Sequence, residues 1–254
     1  SWSLRGLGYP FGVAERAARL VLWGEALGCS TVAMLRRDEA GIAAAARHGV
    51  ERSHQDGLGW ILAAHGKHLL EVGPPAIDLA AADAARRGAG AAVVLDTAGA
   101  IIPALCQMAL RPGYGIVAIH ASAADGGGGQ PGWTAALPTS RGEVLFSGSE
   151  TASLLAALRT QPALDPAPFL RRVTDGRPDA VGFIVLHRDQ AGIAALAGQL
   201  AEQTAAPPID LALRWTGANR DGVDVHDEDL SNLYELERRT WAPTSERSRR
   251  QAAF

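Results

Sequence analysis

Lysine is almost missing. It occurs once, at Lys67, although Lys and Arg together number 24. Alanine, by contrast, is everywhere. We read this imbalance as the coding bias of a GC-rich bacterial genome, so arginine clusters are weak evidence for phosphate binding in this chain. Cysteine is scarce as well. Cys29 and Cys106 cannot build a disulfide framework, and their apolar surroundings fit reduced core thiols in a reducing compartment. Neither sign of charge is in excess, with 27 acidic residues and a net charge of −3, which argues against nucleic acid or an anionic membrane as partner. No uninterrupted apolar run approaches the ~20 residues of a membrane span. The opening Ser-Trp-Ser-Leu-Arg-Gly lacks the charged and apolar regions of a signal peptide, so the expected location is cytoplasmic. Repeats of solenoid period are absent.

What remains is a chain of 254 residues, 47% hydrophobic and 20% charged, able to bury one substantial core or two modest ones. Apolar spacing predicts an amphipathic helix over 13–28, an apolar run over 31–35 and a helix over 38–47. Residues 49–57 read as a polar loop, and the apolar pattern of 58–72 ends at Pro74-Pro75. Helices are expected over 76–87, 99–110, 150–158, 190–203 and 227–240, with Pro103 setting the first turn of the second. Strands are expected over 91–95, 116–119, 143–146 and 180–186, and an alternating strand over 209–215. Helices alternate with continuous apolar strands, the pattern of strands covered on both faces. The fold class is therefore α/β, a layered mixed sheet with helices on its faces. Three prolines within 161–168 suggest a boundary between residues 1–160 and a C-terminal α/β segment, 161–254, that packs on them or continues the same domain.

Signatures of known chemistry are few. No Gly-x-x-x-x-Gly-Lys-Ser/Thr loop occurs, and Gly88-Ala-Gly90 precedes a strand instead of following one. Asp125 and the run Gly126, Gly127, Gly128 and Gly129 follow the strand ending at His120. Their amides suit an anion-binding nest, or the run is an exposed loop. His65 and His68 stand at i and i+3 on an expected helix, but nothing at ligand spacing completes a metal set, and no metal is expected. His48 and His54 flank the polar loop. His120 and Asp96 each end a buried strand, where open α/β sheets bind ligands, and an imidazole there suits proton transfer. Either residue also suits a turn cap. No Gly-x-Ser-x-Gly elbow occurs, and Gly148-Ser-Glu150 reads as a helix cap. Near the C-terminus, Arg239, Ser245, Ser248 and Arg249 could form an anion clamp, or the tail docks through Trp241 and Pro243.

Two resemblances follow from these residues. Gly6-Leu-Gly-Tyr-Pro-Phe-Gly-Val-Ala-Glu15 and Arg239-Thr-Trp-Ala-Pro-Thr-Ser-Glu-Arg-Ser-Arg249 resemble the terminal motifs of the bacterial family of unknown function DUF3726. Over residues 75–146, Ile77-Asp-Leu-Ala, Gly88-Ala-Gly-Ala-Ala-Val-Val-Leu, Gly115-Ile-Val-Ala-Ile-His and the glycine run resemble the malate/L-lactate dehydrogenase-type family of reductases. That second likeness implies a non-Rossmann α/β fold, an NAD(P) cofactor, a homodimer, and 2-keto acids or cyclic imines as substrates. The chain departs from the family at its motifs. It has Cys29-Ser-Thr-Val32 where the family has Ser-His-Gly, and Asp96-Thr-Ala-Gly99 where the family has Asn-His-Phe-Gly. It has Gly132-Trp-Thr-Ala-Ala136 where the family has a Gly-Thr-Asn-Pro cofactor segment. Hydride transfer to a carbonyl needs an acid for the forming alkoxide, and the expected imidazoles are missing. Three readings follow, in order. The first is a small-molecule enzyme acting through His120 and Asp96. The second is a catalytically silent accessory subunit in a hetero-complex, and the third is an NAD(P)-dependent, oxidoreductase-like reductase.

Overall fold

Residues 89–95 read Ala-Gly-Ala-Ala-Val-Val-Leu, and all seven are buried in strand β3 (Ala89–Leu95). The structure, a computed structural model, describes residues 1–121, 131–140, 142–159, 166–174, 179–204 and 206–241. Around β3 lies an eight-stranded mixed sheet of order β1-β2-β3-β7-β4-β5-β6-β8. β2 (Gly59–Ala63) runs parallel to β3. β7 (Val181–His187) lies between β3 and β4 (Tyr114–Ala121), antiparallel to both. The carboxyl ends of β2, β3 and β4 therefore share one edge of the sheet. β5 (Pro131–Thr139) and β6 (Gly142–Gly148) continue from β4 as an antiparallel meander. β1 (Glu51–Gln55) closes one side, and the two-residue β8 (Ile209–Asp210) covers part of β6 on the other. The central β7 comes from beyond residue 168, so both parts of the chain contribute to one sheet.

Helices cover both faces. On one lie α1 (Trp2–Gly6), α2 (Phe11–Ala26), α3 (Thr31–Ala45), α4 (Leu69–Arg87), α5 (Ile102–Met108), α9 (Leu211–Asp221) and α10 (Asp227–Arg238). On the other lie α6 (Thr151–Arg159), α7 (Pro166–Thr174) and α8 (Gln190–Ala201). Alternation along β4 shows the two cores. Ile116 and Ala118 join the first, while Val117 and Ile119 join the second. Both inward faces are apolar, which is why these strands read as unbroken hydrophobic runs.

Several expectations need correction. Residues 31–47 are not an apolar run followed by a helix, because α3 begins at Thr31 and continues to Ala45. Glu25 makes this possible by accepting from Val32 N at 2.6 Å and Thr31 Oγ1 at 2.9 Å at the helix start. Residues 49–57 are not all loop. β1 pairs with β2 there, and its side chains are polar because every one is exposed on an edge strand. Pro74-Pro75 does not end the apolar segment but lies in the second turn of α4, which continues to Arg87 without the two bonds that N–H groups there would make to the Leu70 and Glu71 carbonyls. His65 and His68 do not share a helix face: His65 sits in a turn at φ 51°, and His68 caps α4. Only Ile209–Asp210 is extended within 209–215. The Asp210 carboxylate accepts from Leu213 N at 2.8 Å and starts α9 instead. Among the described residues no helix is long and apolar enough to cross a membrane.

Candidate functional site

The shared carboxyl edge gathers the ends of three strands. Asp96 follows β3 directly and is exposed, at a left-handed φ of 55° that a non-glycine residue adopts only when its neighbours impose it. Its carbonyl accepts from Gly66 N at 2.8 Å, and Leu95 O accepts from Ala64 N at 2.9 Å. The next residues are held as firmly. Thr97 Oγ1 donates to Lys67 O at 2.8 Å, Thr97 N to Asp179 O at 3.1 Å, and Leu69 N to Ala98 O at 2.8 Å. The backbone after β2 thus moulds the turn after β3.

His120 lies in the last part of β4, half-buried, on the face of Ile116 and Ala118. It is level with Val181 of β7, which is level with Val94 of β3. Asp96, two residues beyond Val94, accordingly lies past the same edge with β7 between it and His120, ~10 Å away across the sheet and ~7 Å further along it. On the other side His120 opposes Gly132, where a side chain would bring a Cβ within 3.4 Å of its Cε1. Glycine there leaves the imidazole room. Asp125, Gly126, Gly127, Gly128 and Gly129 lie outside the described residues, as do Ser245, Ser248 and Arg249. Arg239 follows the last residue of α10, and its Nη1 donates to Glu39 Oε1 at 2.6 Å. Bonds from Arg239 and Asn232 hold the Glu39 carboxyl below its usual range.

Beneath the Asp96 turn is an ionisable cluster that the linear sequence does not reveal. His68 is 1% exposed and fixed from two sides. Its Nδ1 accepts from Leu70 N at 3.1 Å, so the neutral ring carries its proton on Nε2, which stands 3.5 Å from Asp38 Oδ2. That separation is a loose ionic contact, and Nε2 has no hydrogen bond among the described residues. The ring presses on the backbone of Gly99, where no Cβ would fit. Burial alone would raise the Asp38 carboxyl, but His68 and Arg37 outweigh it and hold it at about 2. Lys67 Nζ pairs with Glu71 Oε1 at 2.8 Å. The buried Tyr9 hydroxyl finds no hydrogen-bond partner among the described residues; burial first, then Glu71 and Asp38, push its pKa up.

Two threonines stand in the segments where the reductase likeness sets histidines. Thr31 is fully buried, and its one hydroxyl hydrogen is shared between Val21 O at 2.8 Å and the Glu25 carboxylate. Thr97 spends its hydroxyl on Lys67 O. Both hydroxyls are structural. Residues 132–136, matched to the cofactor segment, are buried between β4 and β6; Gly132 stands at the edge opposite His120 and the rest run into the sheet. Separately, a cleft of about 850 Å³ opens between the α2–α3 junction and α9, lined by Ser30, Pro208, Arg214 and Asp224 among others. Among the described residues no three His, Cys, Asp or Glu side chains gather to hold a metal.

No protein-family model matches the chain, and no curated protein matches it either. Solved structures do. The malate dehydrogenase of Pyrococcus horikoshii OT3 aligns with a TM-score of 0.62 at 14% identity, over 93% of this chain and 91% of that one. The Δ1-piperideine-2-carboxylate reductase of Pseudomonas syringae pvar. tomato gives 0.62 at 12% identity, over 92% and 95%. The sulfolactate dehydrogenase of Methanocaldococcus jannaschii gives 0.58 at 12% identity, over 92% of each. At such low identity the likeness concerns architecture alone: this α/β chain has the fold of the malate/lactate dehydrogenase-type enzymes.

Proposed function

We propose that the chain is a small-molecule enzyme acting at the carboxyl edge of β3 and β4, with His120 and Asp96 as its ionisable groups. The observation that carries this reading is the register, which sets an imidazole and an exposed carboxylate on one edge with only β7 between. Such a pair suits proton transfer, the imidazole near neutral pH and the carboxylate as an anionic anchor or acceptor. Asp125 and the glycine run, whose sequence position is between the paired Ala121 and Pro131, would add backbone donors for an anionic substrate.

The residues do not fit the nicotinamide chemistry of the structural relatives. Thr31 and Thr97 have no proton-donating imidazole to offer a forming alkoxide. Of the segment matched to the cofactor motif, only Gly132 reaches the edge, beside His120, and residues 133–136 are interior strand. These residues support no hydride step, and nicotinamide fluorescence on mixing tests the reductase reading directly. The same two threonines favour the second reading, a silent subunit that binds a ligand or partner. It predicts a stable hetero-complex on purification from the native host, in place of a homodimer.

The test is thermal stabilisation by a panel of 2-keto acids, cyclic imines and other small anions. A ligand at a hundredfold its dissociation constant stabilises by about 2.7 kcal/mol. Compounds that stabilise the wild type should lose their effect with His120→Asn and with Asp96→Asn, while both unliganded variants keep the wild-type melting temperature. Undiminished stabilisation of both variants would remove the site.

A further inference from the structure

The geometry points to His68 as a proton-sensing positioning residue that sets the shape of the Asp96–Gly99 turn. The inference rests on the proposed site in one respect, that the turn carries Asp96. Its physical basis is independent of any ligand. The ring is closed to solvent and wedged against Gly99, and each nitrogen has one assignment. Nδ1 must be unprotonated to cap α4 through Leu70 N, and Nε2 faces Asp38.

A second proton can enter the ring only at Nδ1. It converts that acceptor into a donor facing another donor, and the cap is lost. The bonds next to that cap hold the turn: Leu69 N to Ala98 O, Ala98 N to Lys67 O, and Thr97 Oγ1 to Lys67 O. Acid therefore loosens the strap that imposes the left-handed backbone on Asp96.

The groups facing the ring set where this happens. Asp38 of α3 favours the imidazolium, and Arg37, bonded to the same carboxylate, opposes it. Tyr9, ahead of α2, adds a buried hydroxyl near Asp38 and Glu71, while the Glu71 carboxylate is neutralised by Lys67. Removing the Asp38 charge should therefore move the transition to lower pH.

The experiment is amide hydrogen exchange of the full-length chain, corrected for intrinsic rates and followed from neutral to acid pH. In the wild type, exchange at Leu69, Leu70 and Ala98 should rise about tenfold or more as the pH falls, reporting local opening. His68→Asn offers Leu70 N an uncharged acceptor and should give a flat profile, and Asp38→Asn should shift the rise downward. A flat wild-type profile overturns the inference whether or not either variant folds, as does an equal rise in His68→Asn. Asp96→Asn should leave the profile unchanged. Because exchange needs no ligand, failure of ligand binding with this profile intact would count against the proposed site alone.

Discussion

Arg36 Nε donates to Asp229 Oδ1 at 2.6 Å, joining α3 to α10 across 193 residues of sequence. The partners differ in setting. Asp229 is 3% exposed, whereas the Arg36 side chain is half in solvent and also reaches Glu228 at 3.0 Å. Arg36→Ala strands a carboxylate with almost no access to water and should cost roughly 2 kcal/mol, below the figure for a fully buried pair. Glu39→Gln breaks the neighbouring bridge to the exposed Arg239 and should cost less than about 1 kcal/mol. Urea unfolding of the two variants gives the comparison. Equal losses would show that burial of Asp229 is not what matters.

Gly90 and Gly41 should respond in opposite directions to alanine. A Cβ at Gly90 would run into the Ala80 carbonyl and stand 2.8 Å from Ala84 N, both backbone atoms of α4. Neither can rotate away, so α4 must lift from β3 at a cost of about 3 kcal/mol. Gly41 lies within α3 with nothing within 4 Å of the same position. There alanine should stabilise by about 0.5–1 kcal/mol. Thermal melts decide it; a neutral Gly90→Ala would mean that α4 can move off β3 at little cost.

These close contacts mark what a linear reading can and cannot see. β3 and β4 are legible because their residues are apolar on both faces, and Asp96 and His120 because polar residues end those runs. β1 is not: Glu-Arg-Ser-His-Gln has the composition of a loop, and only pairing with β2 makes it a strand. Residues 209–215 alternate like a strand, yet a capping carboxylate two residues in turns them into a helix. Asp38 and His68 are 30 residues apart, and no spacing rule connects a mid-helix aspartate to a later helix cap. Nor does a threonine announce that its hydroxyl is committed to a distant carbonyl, as those of Thr31 and Thr97 are.

Asp38 should shape the acid limb of stability. Its folded value of about 2 lies below the ordinary aspartate value, so the native state binds the proton less readily than the unfolded chain. The contribution is complete above about pH 4 and is lost as pH falls toward about 2. With the side chain partly in solvent, ~1–2 kcal/mol is at stake after allowance for screening. Asp38→Asn should flatten stability against pH in that window. An unchanged slope would assign the acid sensitivity to other carboxylates.

The thiols give the last test, because both are held in their unreactive form for different reasons. Burial, with Glu25 adding to it, pushes the Cys29 thiol up to about 11. Cys106 is wholly enclosed, with Sγ donating to Thr134 O at 3.7 Å, and burial raises it further. Since the thiolate is the nucleophile, at about pH 8 Cys29 should react with a disulfide reagent roughly a hundredfold or more slower than an unfolded thiol. Cys106 should wait for global unfolding, so its labelling rate should fall with any stabilising ligand while that of Cys29 does not. Glu25→Gln keeps an oxygen for Thr31 and Val32 but removes the charge, and should speed Cys29 alone. Labelling of both thiols at one common rate would mean that a single opening exposes the α2–α3 junction together with the α5 face of the sheet, contrary to their separate enclosures.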